Sequence, residues 1–258
     1  MYDTRPLPKE NWSHVRYKEM TFNPPPLTPW NATNANRCAF DEIFSYWKDY
    51  DTLTFLVDLG IYHPSLSMFL DQSEKEKELS YKTAVSRKRF VVSRTIIKHV
   101  LKNILLAPNL SDSILIRKKY GRILVKDVPG ISISLSYSGT CIAITVGKQK
   151  IGSDIEVIRP VDIRKIKSYP LFYDTRSRNE KERIRNFLQM WTLLEAYAKL
   201  HDRSAYSCLI EKDLSREVNF VSYCINTTSI FSLASGPDPG KDVLLWLDTA
   251  GSGIVSEF

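Results

Sequence analysis

Apolar and polar residues follow one another in two rhythms along this chain, one helical and one extended. Residues 52–59 form a β-branched, apolar run of the kind found in buried strands. Residues 73–106 place apolar side chains at helical spacing with one break near 83–86, and residues 181–200 do so without a break. The same patterns predict short helices at 40–50 and 64–71, a hairpin of 114–118 with 122–126, strands at 131–136, 141–146 and 151–157, and antiparallel strands at 217–223, 229–234 and 243–247.

The order of these elements predicts the fold class. Strand, helix and hairpin come first, and strands, helix and strands follow, which is typical of an α+β fold. Residues 1–37 contain three consecutive prolines at 24–26 and are predicted to form an irregular N-terminal extension. A length of 258 residues allows one large domain or two smaller ones.

Composition and charge narrow the class of protein. The chain is 43% hydrophobic and 25% charged, which is enough for a buried core. No apolar run is long enough to span a membrane and the N-terminus has no apolar leader, so we expect a cytoplasmic protein. The four cysteines and four histidines have no zinc-site spacing. A net charge of +7 is compatible with nucleic acid, an anionic surface or an acidic partner, but no nucleic-acid-binding motif accompanies it.

Two carboxylates lie close together in the predicted strand 151–157. Side chains alternate between the faces of a strand, so Asp154 and Glu156 are predicted to point the same way. On a buried face such a pair is costly unless it is satisfied, whereas on an exposed face it is an ordinary solvated pair. A metal site and a solvated strand are therefore both open on this pair alone.

A second set of side chains follows in the predicted helix 181–200. Trp191, Glu195 and Lys199 are spaced by four residues and therefore share one helix face. Trp191 at this spacing is interpreted as a structural core residue. Three carboxylates converging from a strand and a helix make an all-oxygen site suited to Mg2+, and Lys199 lies one turn further, within reach of a phosphate. This chemistry points to phosphoryl-type transfer.

Both motifs resemble those of the 4′-phosphopantetheinyl transferases. Gly-x-Asp-x-Glu at 152–156 and Trp-x-x-x-Glu-Ala-x-x-Lys at 191–199 match the family in order. Residues 87–97 resemble its basic N-terminal helix, Tyr-Gly-Arg-Ile at 120–123 its Gly-Lys-Pro turn, and Ser-Leu-Ser-Tyr-Ser-Gly at 134–139 its Asn-x-Ser-His-Ser-Gly segment. The resemblance is to the long, pseudo-dimeric type that activates peptide and polyketide synthases of secondary metabolism.

The resemblance implies both a fold and a reaction. The fold has two pseudo-symmetric lobes, each a small antiparallel sheet packed with helices, at residues 38–128 and 129–258, with the metal site in the second. The reaction is Mg2+-dependent, transfers the 4′-phosphopantetheine group of coenzyme A to a serine of an acidic apo-acyl or peptidyl carrier protein, and releases 3′,5′-ADP. The implied protein is a monomer that binds neither nucleic acid nor a membrane.

The resemblance also assigns roles to individual residues. Asp154, Glu156 and Glu195 are implied as Mg2+ ligands. Glu195 is also the implied base that accepts the serine proton, directly or through a metal-bound water, and Lys199 is the implied catalytic cation. The implied coenzyme A ligands are Arg89, Arg94, Gly121, Arg122, Ser136, Tyr137 and Ser138.

Simpler interpretations are open for several of these coenzyme A ligands. Arg89 and Arg94 lie on a basic helix whose charged side chains can equally form a solvated face. Ser136 and Ser138 can donate hydroxyls to phosphate, but strand hydroxyls bonded to the backbone are an equally good interpretation.

The chain departs from the family pattern on the coenzyme A side. Tyr137 stands where the family has His, Leu194 stands where it has Lys, and Ile123 replaces the proline of its glycine turn. Residues 200–207 also lack the glycine-rich loop that follows the family's helix. The alternative function is therefore a degenerate, non-catalytic homologue that binds a carrier protein or synthase. Retention of the three carboxylates and the lysine favours the enzyme.

Overall fold

The structure is a computed structural model that describes residues 27–30, 37–61, 64–106, 115–117, 123–126, 128–162, 179–210, 217–238 and 240–247. Its helices are α1 (Ile43–Asp49), α2 (Gln72–Ser80), α3 (Ala84–Leu105), α4 (Glu180–Leu200) and α5 (Ala205–Ile210), with short 3-10 turns at Phe40–Glu42, Leu59–Ile61 and Pro64–Phe69. Its strands are β1 (Thr28–Trp30), β2 (Arg37–Cys38), β3 (Thr52–Asp58), β4 (Leu115–Arg117), β5 (Ile123–Val125), β6 (Ser132–Ser138), β7 (Cys141–Gly147), β8 (Ile151–Val157), β9 (Asn219–Ile225), β10 (Ser229–Ser235) and β11 (Asp242–Leu247). Mixed helices and sheets confirm the predicted α+β class.

The strands pair into two sheets. The four-stranded sheet has the order β1-β9-β10-β8, and the seven-stranded sheet has the order β2-β11-β3-β7-β6-β5-β4. Neighbouring strands are antiparallel except for β1 with β9 and the β2–β11–β3 edge, where they are parallel. The prediction that 243–247 is an antiparallel strand is therefore wrong. An apolar run identifies a strand but not its partner, and β11 pairs with β3 from the other end of the chain.

The two sheets stack face to face. Phe55 of β3 and Ile144 of β7 are buried with Ile97 of α3 in one apolar cluster, so α3 covers the outer face of the seven-stranded sheet. Leu56, on the opposite face of β3, is buried with Phe231 of β10 in a second cluster between the sheets. Burial of each such side chain contributes about 1.5–3 kcal/mol relative to leaving it in water.

The long helix α4 covers the outer face of the four-stranded sheet. Phe187 and Leu194 of α4 are buried with Ile230 of β10 in a third cluster. The layers are therefore helix, sheet, sheet, helix, with one long helix outside each sheet. The pseudo-symmetry of two lobes stays a prediction.

Local capping sets the ends of the long helices. The Thr83 hydroxyl accepts a hydrogen bond from the Ser86 amide at 3.2 Å and so begins α3, while Leu106 ends it in the left-handed conformation with φ of 49°. The break predicted near 83–86 lies at 81–83, between α2 and α3. Asn179 begins α4 by accepting from the Lys181 amide at 3.0 Å.

The predicted division of the chain cuts through the seven-stranded sheet. β5 and β6 pair across the predicted boundary between 128 and 129, and the hairpin of β4 with β5 is confirmed. β1 lies inside the predicted irregular extension 1–37 and pairs with β9. The division into lobes stays a prediction. In the ranges described above, no helix has both the length and the apolar character needed to cross a membrane.

Candidate active site

A row of serine side chains on β6 joins the two sheets. Strand β8 lies at the edge of the four-stranded sheet. The backbone amides on its outer side therefore have no neighbouring strand in that sheet and need other hydrogen-bond acceptors. The β6 hydroxyls accept from these amides, Ser132 from Ile151 at 3.4 Å, Ser134 from Ser153 at 2.8 Å, Ser136 from Ile155 at 3.2 Å and Ser138 from Val157 at 2.7 Å. The period of two in β6 matches the period of two in β8. Ser136 and Ser138 are thus strand hydroxyls bonded to the backbone, one of the two interpretations of their sequence.

The same two serines also donate to the carboxylates of β8. The Ser136 hydroxyl donates to Asp154 Oδ1 at 2.7 Å, and the Ser138 hydroxyl donates to Glu156 Oε2 at 2.9 Å. A serine hydroxyl has one hydrogen and two lone pairs, so it can accept from an amide and donate to a carboxylate at once. Asp154 is buried and Glu156 is half-buried. The two carboxylates lie on the same side of β8, as their spacing predicted.

A glycine allows α4 to lie directly against β8. A Cβ atom at Gly152 would be 2.0 Å from the Ala196 carbonyl oxygen of α4, so only glycine permits this approach. The approach brings Lys199 beside the first carboxylate. Its Nζ donates to Asp154 Oδ1 at 2.8 Å and to the Ser153 carbonyl at 2.9 Å.

Burial is the largest influence on the pKa of both Asp154 and Glu195. Burial raises the pKa of Asp154, and the charge of Lys199 and the Ser136 hydroxyl oppose that rise. Burial also raises the pKa of Glu195, the charges of Asp154 and Glu156 raise it further, and Lys199 lowers it. Glu195 therefore lies close enough to β8 for the carboxylates to repel one another.

Cations of the chain itself balance part of this negative charge. Lys199 pairs with Asp154 at 2.8 Å, and Arg159 pairs with Glu156. Within the described part of the chain, no set of three or more His, Cys, Asp and Glu side chains is arranged to hold a metal ion. The donor chemistry nevertheless fits Mg2+, which proteins bind through one or two carboxylates together with substrate phosphates. Repulsion between the carboxylates also favours a bound cation.

Two predicted coenzyme A ligands meet at the turn between β6 and β7. Arg89 Nη2 donates to the Gly139 carbonyl at 2.9 Å, and the guanidinium lies 5.9 Å from the centroid of the Tyr137 ring. The Tyr137 and Ser93 hydroxyls are 3.1 Å apart. Since this turn follows Ser138 directly, Arg89 and Tyr137 lie at the end of β6, the strand whose serines donate to the two carboxylates of β8.

Arg94 occupies a buried ion cluster between α2 and α3. Its Nε is 3.7 Å from Glu74 Oε1, and Glu74 Oε2 is 2.6 Å from Lys98 Nζ. Arg94 is only 7% exposed, so it is not part of a solvated helix face. The structure thus shows Arg89 bonded to the turn between β6 and β7 and Arg94 paired with Glu74 of α2.

The remaining predicted residues lie either away from the carboxylates of β8 or outside the described ranges. Gly121 and Arg122 lie outside the described residues. Trp191 is half-buried against the third apolar cluster, the one between α4 and β10, as expected of a structural residue. Its ring stacks on Phe187 with the two ring centroids 6.4 Å apart. Leu194 is 2% exposed in the same cluster.

Sequence reasoning missed the partners of the two β8 carboxylates. Arg159 follows Glu156 by three residues and pairs with it just beyond the end of β8. The short separation of Arg159 from Glu156 in the sequence could have indicated this ion pair. The serine partners were noticed only as phosphate donors, because their alignment with β8 depends on how the two sheets stack.

Comparison with known proteins confirms the resemblance to the 4′-phosphopantetheinyl transferase superfamily. The chain is 22% identical over 138 residues to 4′-phosphopantetheinyl transferase psf-1 of Bacillus pumilus, 26% over 141 residues to 4′-phosphopantetheinyl transferase gsp of Aneurinibacillus migulanus, and 24% over 155 residues to 4′-phosphopantetheinyl transferase Sfp of Bacillus subtilis (strain 168). These matches cover 52%, 51% and 55% of this chain and 59%, 57% and 69% of the relatives. No family model matches the chain.

The buried position of Leu194 makes a prediction about its replacement by the family's lysine. Leu194→Lys places a charge among apolar side chains and is expected to lower the free energy of unfolding by about 3 kcal/mol. Urea unfolding measures the effect. Leu79→Lys, at a helix position that is 73% exposed, is the control and should change stability by less than about 0.5 kcal/mol. Equal stability of Leu194→Lys and wild type would contradict the burial of Leu194.

Proposed function

We propose that this chain transfers the 4′-phosphopantetheine group of coenzyme A to a serine of an apo-acyl or peptidyl carrier protein. One observation carries the proposal. Asp154 and Glu156 on β8 lie against the face of α4 that bears Glu195 and Lys199, in the motif order of the transferases. The similarity to three relatives named as such transferases supports it.

Asp154 and Glu156 would hold a Mg2+ ion, with Glu195 as a third ligand. When bound, the ion neutralises and polarises phosphate oxygens of the substrate. Burial keeps this site in a low-dielectric environment, where electrostatic interactions are stronger than in water. Burial and the charges of Asp154 and Glu156 raise the pKa of Glu195, and a divalent cation would balance these carboxylate charges.

Glu195 is the proposed general base. The serine oxygen of the carrier protein forms a bond to the phosphorus next to pantetheine, and the bond from that phosphorus to the bridging pyrophosphate oxygen breaks. The serine proton goes to Glu195, and 3′,5′-ADP leaves. A carboxylate whose pKa is raised holds that proton better than an exposed one, so burial suits Glu195 to the role.

Lys199 is the proposed catalytic cation. Its ammonium group is fixed by Asp154 Oδ1 at 2.8 Å and by the Ser153 carbonyl at 2.9 Å, so it needs little rearrangement to face a phosphate at the site. A fixed cation stabilises the charge that develops on the leaving pyrophosphate oxygen. Positioning and electrostatics supply most of the catalysis in such reactions.

Coenzyme A is proposed to bind along the β6–β7 turn. Arg89 and Tyr137 meet there, and Arg94, Gly121 and Arg122 are proposed as further ligands from the family resemblance. The net charge of +7 suits both the phosphates of coenzyme A and an acidic carrier protein. A monomer in the cytoplasm that needs neither nucleic acid nor a membrane is part of the same proposal.

The test of the proposal is transfer of a fluorescently labelled phosphopantetheine group from a coenzyme A conjugate to an apo-carrier protein. We expect a labelled carrier with Mg2+ and none after chelation of divalent ions. Labelling that persists in full after chelation would contradict the role of the carboxylates.

The two arginines of α3 are expected to differ in what their loss changes. Arg89→Ala removes the proposed charged contact with a coenzyme A phosphate, and coenzyme A should bind at least about tenfold more weakly, since a hydrogen bond to a charged group has a net value of about 1.5–3 kcal/mol. Arg94→Ala should also weaken coenzyme A binding, and because it breaks a buried ion pair it should in addition lower the free energy of unfolding by about 2 kcal/mol. Calorimetric titration and urea unfolding measure the two effects.

The control for both arginine variants is Lys75→Ala, which removes one positive charge from an exposed position of α2. It should change neither quantity, and the loss of affinity in Arg89→Ala should diminish at high salt. An unchanged dissociation constant in Arg89→Ala would place the coenzyme elsewhere.

A further inference from the structure

We propose that Ser136 and Ser138 are positioning residues that select which oxygen atoms of Asp154 and Glu156 face the metal ion. The inference rests on the proposed function, and it replaces the role of phosphate donors that the family resemblance implies for these serines. In this role the two serines orient the carboxylates and take no part in the transfer reaction itself.

Each carboxylate is held through one of its two oxygens. Asp154 Oδ1 accepts from Ser136 at 2.7 Å and from Lys199 at 2.8 Å. Glu156 Oε2 accepts from Ser138 at 2.9 Å and also from Arg159. The pattern, one serine and one cation on a single oxygen, is the same at both positions. Because all four contacts engage Asp154 Oδ1 and Glu156 Oε2, the second oxygen of each carboxylate is the one that would be available to a metal ion.

The backbone of β8 sets the direction of each serine hydroxyl. Ser136 Oγ accepts from the amide of Ile155, the residue after Asp154, and its single hydrogen is then directed to the carboxylate. Ser138 does the same with the amide of Val157, the residue after Glu156. Each serine thus ties a carboxylate to the strand that carries it.

The energetics favour a positioning role over a purely structural one. A hydroxyl-to-carboxylate bond is charge-assisted and about twice as strong as a bond between neutral groups. Ser136 is 5% exposed and Ser138 is 6% exposed, so water competes little for either bond. Hydrogen-bond partners of this kind orient the groups that bind a metal, and their loss weakens metal binding without removing a ligand.

The same row of serines provides a matched control. Ser134 accepts from the Ser153 amide at 2.8 Å, as Ser136 and Ser138 do from their amides, but its hydroxyl donates to the Ser153 carbonyl at 3.3 Å. Loss of this hydroxyl removes the same bond between the sheets and leaves both carboxylate bonds in place.

The experiment measures binding of Mn2+, as a spectroscopic substitute for Mg2+, to the full chain by electron paramagnetic resonance. Ser136→Ala and Ser138→Ala should each weaken binding by about tenfold or more, whereas Ser134→Ala should stay within about twofold of wild type. Urea unfolding of the three variants measures the shared structural cost. Ser136→Cys and Ser138→Cys keep the shape with a weaker donor, and their Mn2+ affinities should lie between those of the wild type and the alanine variants, which keeps the test available if an alanine variant does not fold.

Three results would overturn the inference. The first is a Mn2+ affinity equal to wild type in both Ser136→Ala and Ser138→Ala. The second is a loss of Mn2+ affinity in Ser134→Ala as large as in those two variants. The third is no Mn2+ binding by the wild type. The transfer assay separates this inference from the proposed function. Serine-dependent Mn2+ binding without transfer to any carrier removes the proposed function and keeps the positioning role, whereas transfer with the same Mg2+ requirement in all variants removes only the positioning role.

Discussion

Glu195→Gln is expected to abolish transfer while leaving the fold intact. The glutamine amide has nearly the same shape but cannot accept the serine proton, and loss of a general base costs about 100-fold to 10,000-fold in rate. Single-turnover transfer to an apo-carrier protein, followed by intact mass, measures the loss. Glu180→Gln, at an exposed position in the first turn of α4, is the control and should transfer like wild type. Wild-type rates in Glu195→Gln would contradict the assignment of the base.

The same substitution is expected to stabilise the metal-free protein at neutral pH. The pKa of Glu195 is raised above its ordinary value of 4.5, so the folded state binds the proton more tightly than the unfolded state. The free energy of unfolding therefore falls as the pH rises from the pKa of Glu195 in the unfolded state to its pKa in the folded state. At all higher pH values the ionised Glu195 side chain destabilises the folded state. Glutamine has no such dependence, so Glu195→Gln should gain stability at about pH 7 and lose that gain below about pH 4.5. Urea unfolding at both pH values measures the difference, and a gain of equal size at both would contradict it.

Gly152→Ala is expected to damage stability and activity together. The added Cβ would lie 2.0 Å from the Ala196 carbonyl oxygen and 2.5 Å from the Leu200 amide nitrogen, and both are backbone atoms of α4 that cannot rotate away. The helix must move off β8, at a cost of about 1–3 kcal/mol or more in the free energy of unfolding. The movement separates Glu195 and Lys199 from the β8 carboxylates, and a displacement of about 1 Å can cost about 100-fold in rate.

Gly236→Ala is the matched control for this substitution. Gly236 follows β10 in the same sheet, and a Cβ atom there would meet only the Gln149 side chain, at an ordinary contact distance of 3.7 Å. Thermal unfolding and transfer by this variant should resemble wild type. If Gly152→Ala matched it in both measurements, the close approach of α4 to β8 would not be needed for the site.

The local parts of the candidate site could be predicted from the sequence. The spacing of two in β8 and of four in α4 fixes which side chains share a face, and the structure shows Lys199 bonded to Asp154 across that contact. Gly152 was visible in the same motif, although only the structure shows that the backbone of α4 fills the space of its missing side chain.

The non-local parts could not be predicted. Ser136 and Ser138 were open to two interpretations because their partners lie on a strand of the other sheet, and only the stacking of the sheets decides between them. Arg94 pairs with Glu74 of α2, and no pattern in the sequence of α2 indicates this contact. The parallel pairing of β11 with β3 likewise depends on the whole topology rather than on the strand itself.

The most direct test of the proposed transfer is the intact mass of several apo-carrier proteins incubated with coenzyme A, Mg2+ and this protein. The account predicts that at least one carrier gains the mass of one phosphopantetheine group with the wild type, and that none gains it with Glu195→Gln or after chelation. No gain on any carrier, together with no coenzyme A binding in calorimetry, would contradict the account and favour a non-catalytic homologue that binds a carrier protein or synthase.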